Sequence, residues 1–193
     1  MAATKGEQTR QAILAAAIAR FGREGYRATS VADIARDANV GGTVAYAYFP
    51  SKEALFLAAI DEDAAAVIHE GVSTVAAAPE VWRETLIFSL VNAVEGHPLA
   101  RRLLAGLEPE VTERVLEIPA LADLRKACTE RIRSEQLAGT IRSDIDAEVI
   151  GNGIVAIMLS LLMSIVQIGS GPALSYGRDV AAVFEAALEP PVR

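Results

Sequence analysis

Thr29-Ser30-Val31-Ala32-Asp33-Ile34-Ala35-Arg36-Asp37-Ala38-Asn39-Val40-Gly41-Gly42-Thr43-Val44-Ala45-Tyr46-Ala47-Tyr48-Phe49-Pro50-Ser51-Lys52 is the stretch that decides how this chain folds. Ser30 has the side chain of an N-cap, and Asp33, three residues on, suits the positive end of a helix dipole. Val31, Ile34, Ala35 and Ala38 then give a narrow apolar face. Asn39 stands where a turn between two helices needs a positive φ, which asparagine tolerates better than most residues. Gly41-Gly42 opens a third helix of about two turns, Phe49 is its predicted buried anchor, and Pro50 stops it. Two short helices around a tight turn are one way to place a helix in the DNA major groove. The pattern therefore predicts a DNA-binding head.

Working outward, Ile13, Leu14, Ala17, Ile18 and Phe21 recur at helical spacing, so Gly6 to Glu24 reads as an amphipathic support helix. Gly25 is its predicted left-handed terminator, and Tyr26 folds back over the last turn. Downstream, Ser51 caps a long helix from Lys52 to about Ala78, ended by Pro79. Further helices are expected over Glu80–Glu95, after Pro98 to Gly106, and over Leu121–Leu137 with Gly139 as the stop. Pro109 to Ile118 reads as one short helix between prolines. A last large helix starts near Asp144, is expected to break at Gly169-Ser170-Gly171-Pro172, and is followed by an amphipathic helix over Val180–Leu188. The fold class is all-α. Residues 1–53 form the head, with the helix-turn-helix over about 30–49, and residues 54–193 form a helical body.

The formal charge is −7 over 193 residues, which by itself argues against nucleic acid. Its distribution argues the other way. Residues 1–52 carry seven Lys or Arg against four Asp or Glu, which leaves −10 for the rest. A positive head on an acidic body fits a phosphate-facing segment. The single cysteine, Cys128, excludes an internal disulfide, and the lack of a basic, apolar leader points to the cytoplasm. From Val149 to Gly177 no residue is charged. That run is long enough to span a membrane, but Asn152, Ser160, Ser164 and Gln167 interrupt it and its entry is acidic. It is expected instead as a helix buried on all sides, part of a dimer-forming core with no membrane involved.

Ile13, Ala17 and Phe21, Gly25-Tyr26, Thr29-Ser30-Val31, Asp33-Ile34-Ala35, Val40, Tyr46, Tyr48-Phe49 and Ser51-Lys52-Glu53 leading to Leu55 together resemble the TetR (tetracycline-repressor-like) family of bacterial regulators. The resemblance covers roughly residues 9–57. It implies phosphate-clamping roles for Thr29, Ser30, Tyr46, Tyr48 and Lys52, and base reading by Gly42, Thr43 and Val44. It further implies a homodimer on an inverted-repeat, double-stranded operator, repression, and release by a small-molecule effector held in the body. Activation or dual regulation by the same architecture is the alternative. Asn39 stands for the family's usual glycine, Gly41 for its capping serine and Gly42 for its frequent cation, so the first turn of the third helix has no positive charge.

Other motifs carry less. Gly151-Asn152-Gly153-Ile154-Val155-Ala156 matches a dinucleotide-binding pattern, but no strand is expected before it, so it reads as small residues for close helix packing. His69 and His97 have no metal-ligand spacing, and no metal or cofactor is expected. His69 reads as exposed, His97 as a loop residue, and Asp61-Glu62-Asp63 as a solvated helix face. Cys128 has no histidine nearby and no nucleophile motif is present, so a helical enzyme is the rival without a catalytic constellation. Trp82, Phe88, Met158, Met163 and Phe184 are candidate pocket-lining residues, each equally explained as core.

Overall fold

Thr4 opens the first helix with a complete capping box. Its hydroxyl accepts from the Glu7 amide (3.3 Å), and the Glu7 carboxylate accepts from the Thr4 amide (2.6 Å). These bonds hold the Glu7 carboxyl below its usual range. In the computed structural model, which describes residues 4–77, 82–111 and 113–190, every regular element among the described residues is helical. The head consists of α1 (Lys5–Glu24), α2 (Val31–Asp37) and α3 (Gly42–Tyr48). Ile13, Leu14, Ala17 and Phe21 bury one face of α1, as their spacing requires. Helix α4 (Lys52–Ala77) begins where the Ser51 hydroxyl accepts from the Ala54 amide at 3.0 Å. It then runs from the head into the body, so the division at residue 53 falls in its first turn. Phe56 on α4 packs against Phe21 (4.9 Å between ring centres) and Tyr26 (4.7 Å), which welds the two parts.

The body adds α5 (Trp82–Glu95), α6 (Pro98–Leu104), two 3₁₀ turns (Pro109–Val111 and Glu113–Glu117), α7 (Ala120–Ala138), α8 (Ala147–Ile168) and α9 (Ser170–Leu188). Helix α4 packs on α5 and α7, α7 on α8, and α8 on α9. The interior is filled by Trp82, Leu86, Cys128, Ile132, Ile154 and Val155. Burial pushes the Cys128 thiol up to about 12, so it is a neutral packing residue rather than a nucleophile. Gly151 lets α8 lie against α7, since a Cβ there would stand 2.6 Å from Thr129 Oγ1. The small-residue reading of that motif is therefore the physical one.

Several expectations are corrected. Gly25 does have a positive φ (85°), but its ψ of 169° lies outside the left-handed helical well. Pro109 to Ile118 forms two 3₁₀ turns instead of one helix. The break after α8 is confined to Gly169 (φ 96°), and α9 starts at Ser170, not Val180. Pro172 is tolerated there because the first turn of a helix has no intrahelical acceptors for its amides to reach. Helix α8, uncharged from Val149 onward, is long and apolar enough to cross a membrane by length and composition. It is not buried all round within one chain, because Val149 and Ile168 stay exposed. The proposed ends at Ala78, Pro79 and Glu80 lie outside the described residues.

The Asp61-Glu62-Asp63 reading also changes. Glu62 is exposed, Asp61 is only partly so, and Asp63 is buried. Asp63 is 4% exposed and caps α6 from a distance: Oδ2 accepts from the Leu99 (2.9 Å) and Ala100 (2.8 Å) amides, and Oδ1 lies 2.8 Å from His97 Nδ1. Those amides open α6 after Pro98 and have no intrahelical partner, so a buried carboxylate from α4 satisfies them. His97 is thus part of a cap rather than a free loop residue. Exposed His69 matches its expectation.

Candidate nucleic-acid interface

Helix α2 is capped as its sequence requires. The Ser30 hydroxyl accepts from the Asp33 amide (3.1 Å) and donates to the Asp33 carboxylate (2.6 Å). That hydrogen bond, helped by Arg36, lowers the Asp33 pKa. The turn to α3 is closed by the Val40 amide donating to the Ala35 carbonyl (2.9 Å), with Asn39 at φ 54°. Gly41 opens α3 without a side-chain cap. On α3 only Ala45 is buried, and Phe49 just beyond it is its anchor.

This leaves a bare first turn. Gly42, Thr43 and Val44 are all exposed, and Tyr46 is 53% exposed one turn on. The space around a Cβ at Gly42 is open. Tyr48 is half-buried against the core and reaches the start of α1, where its hydroxyl would stand 3.6 Å from a Cβ on Gly6. Lys52 sits with its ammonium 4.3 Å from the centre of the Tyr26 ring. Helix α3 itself carries neither an acid nor a base.

One predicted site residue is turned inward. Thr29 is 3% exposed, and its hydroxyl donates to the Gly25 carbonyl at 2.8 Å. The side chain is therefore used to hold the end of α1, and it does not present a hydroxyl at the surface. Ser30 is exposed, with its hydroxyl engaged in the cap.

The positive balance of the head becomes specific once its ion pairs are drawn. Arg20 is held by Asp37 (2.6 Å) and Glu24 (3.1 Å), Arg23 by Glu24 (2.8 Å), Arg36 by Asp33 (3.0 Å), and Arg27 by Glu110. The Arg20 guanidinium in turn keeps the Asp37 carboxyl below its ordinary range. Among the described residues of the head, Lys5, Arg10 and Lys52 are the cations without a carboxylate partner. Arg10 lies 5.3 Å above the Phe49 ring, so α1 delivers a cation to the end of α3. Sequence reading missed Lys5 and Arg10, because nothing local distinguishes them from the arginines that are neutralised.

The family model for bacterial regulatory proteins of the tetR family matches residues 13–59, the segment that contains this turn and its anchors. Residues 13–59 are thus a tetR-type helix-turn-helix segment. That match supports a DNA-binding transcription regulator with a helix-turn-helix head. No curated protein matches it in sequence. Solved structures share its fold over nearly the whole length. A TetR-family transcriptional regulator from Cytophaga hutchinsonii is 22% identical, with 98% of each chain covered and a TM-score of 0.74. Another from Pectobacterium atrosepticum is 19% identical, covering 97% of this chain and 98% of that one at a TM-score of 0.66. The TetR-family repressor FadR of Thermus thermophilus, solved with lauroyl-CoA, is 22% identical, covering 95% of this chain and 98% of that one at 0.64.

Proposed function

We propose that this protein is a TetR-family cytoplasmic repressor that binds an inverted-repeat operator as a homodimer and is released by a small molecule held in its body. The observation that carries the DNA part is the bare, uncharged first turn of α3 flanked by Lys5, Arg10 and Lys52. Gly42, Thr43 and Val44 read base edges, while Tyr46, Tyr48, Lys52 and the amides after Ser30 fix register on phosphate. Thr29 supports this from behind by holding the end of α1. Residues 1–53 act as the head and residues 54–193 as the effector-binding and dimerising body. Val149, Ile157 and Ile168 on α8, with Val183 on α9, leave large apolar side chains in solvent in one chain, which a second copy would cover. A small molecule acts by preferring a dimer whose heads no longer match the half-site spacing.

Selecting bound duplexes from a random pool tests the reading, with the expected product an inverted repeat whose half-sites lie about one helical turn, or a multiple, apart. Lys52→Ala should weaken all sequences and lower the salt slope by about one. Tyr46→Ala should likewise weaken binding evenly, whereas Thr43→Ala should change which bases are preferred. Unchanged operator affinity in all three variants at moderate salt would remove α3 from the groove.

A further inference from the structure

Each base shows its own pattern in the major groove, and side chains answer it in kind. Arginine or lysine pairs with guanine, asparagine or glutamine with adenine, a carboxylate with cytosine, and an apolar group with the thymine methyl. Helix α3, Gly42-Thr43-Val44-Ala45-Tyr46-Ala47-Tyr48, contains no arginine, lysine, asparagine, glutamine or carboxylate. Ala45 is buried, so Thr43 and Ala47, four positions apart, share the outward face, and Val44 stands beside them. All three are exposed, Val44 to 40% although its side chain is wholly apolar.

Glycine keeps that surface bare. A Cβ on Gly41 would stand 3.8 Å from Val44 Cγ2, so a longer side chain at Gly41 would reach over this methyl. The head's cations without a carboxylate partner, Lys5, Arg10 and Lys52, lie on α1 and α4 rather than on α3. Arg10 is drawn over the Phe49 ring and Lys52 over the Tyr26 ring. Cations flanking a groove-facing helix suit phosphate, which carries no sequence information.

We propose that the operator is read through thymine 5-methyl groups, against which Val44 packs together with the methyls of Thr43 and Ala47, and that α3 contacts no guanine. This rests on α3 lying in the major groove and names the chemistry it recognises there. The thymine methyl is the apolar group that a base offers in that groove, and packing it on Val44 removes apolar surface of both from water. Each half-site therefore carries thymine where it faces Val44.

Binding of the full-length protein to operator duplexes recovered from a random pool tests it. Deoxyuridine replaces thymidine one symmetric pair at a time, which removes only the 5-methyl group. At one pair or more, Kd should rise about fourfold per half-site, the expectation for one methyl, and roughly tenfold or more over the two half-sites of a dimer. 7-Deazaguanine, which lacks the N7 acceptor, should be tolerated at every guanine. Val44→Ala should hold the thymidine and deoxyuridine forms of that pair to within about twofold of each other. Val44→Thr, of the same shape with one methyl exchanged for a hydroxyl, is the second variant and should show an intermediate penalty.

Deoxyuridine without effect at every position, or a half-site selected without thymine, overturns methyl readout and leaves DNA binding standing. A loss of about tenfold with 7-deazaguanine does the same, since it assigns the readout to a cation. A deoxyuridine penalty undiminished in both Val44 variants traces to the stiffness of the duplex and overturns the role of Val44. No sequence enriched from the pool removes the DNA reading itself.

Discussion

Glu135→Ala is expected to lower the melting temperature by roughly 6–20 °C, from a loss of about 3–5 kcal/mol at the size of this chain. Glu135 is buried on α7, where its carboxylate accepts from Trp82 Nε1 (2.8 Å), Arg83 (2.7 Å) and Arg131 (2.9 Å). One side chain thus satisfies an indole N–H and two guanidinium groups, and pins α5 to α7. Alanine leaves all three donors facing a void. Burial alone would raise the Glu135 pKa, but the hydrogen bonds from Arg83, Trp82 and Arg131, with the charge of Arg83, outweigh it and the net direction is down. A carboxyl whose folded pKa lies below its unfolded value stabilises fully above the unfolded value, and that contribution is lost as pH falls through the folded one. Scanning calorimetry over an acid pH series should therefore show a shallower decline in Glu135→Ala than in the parent. An unchanged melting temperature near neutrality would mean the three donors find other acceptors.

Gly25→Ala is expected to cost about 1–3 kcal/mol in backbone strain alone, because φ 85° with ψ 169° is a region open almost only to glycine. The added methyl would also stand 2.4 Å from an Arg102 guanidinium nitrogen and 2.8 Å from Glu108 Oε1. Those two groups form the joint between head and body: Glu108 accepts from Arg102 Nε (2.6 Å) and from the Tyr26 amide (3.1 Å). Displacing them should loosen the head on α6 as well as destabilise the fold. Gly42→Ala is the matched control. Its Cβ meets nothing, and Gly42 is helical, so the substitution should be neutral or stabilise by up to about 1 kcal/mol. Urea unfolding of both variants, read from midpoint and slope, separates the two. Equal effects would mean that the joint at Gly25 yields without resistance.

The parts of the head that were legible in sequence are those governed by neighbours a turn away. Ser30 over Asp33 and Ser51 over Ala54 are caps that three-residue spacing announces. Asn39 takes the positive φ that the turn demands. The exposed run from Gly42 to Val44 follows from the apolar spacing around Ala45 and Phe49. Thr29 was harder, because a hydroxyl at the surface and one bonded to the end of the preceding helix look alike in a sequence.

By itself, then, the order of residues determined an all-α chain with a helix-turn-helix head, through periodicity and capping that act over three or four positions. Tertiary structure decided which charges remain available. Arg20 is spent on Asp37, 17 residues away, while Arg10 is not spent on any carboxylate among the described residues. It also drew Asp63 inward to cap α6, 36 and 37 residues on, and gathered Trp82 onto Glu135 across 53. The pairing of Arg114 with Asp61, likewise across 53, is of the same kind. Burial and pairing at such separations depend on how helices pack, and no local spacing encodes them.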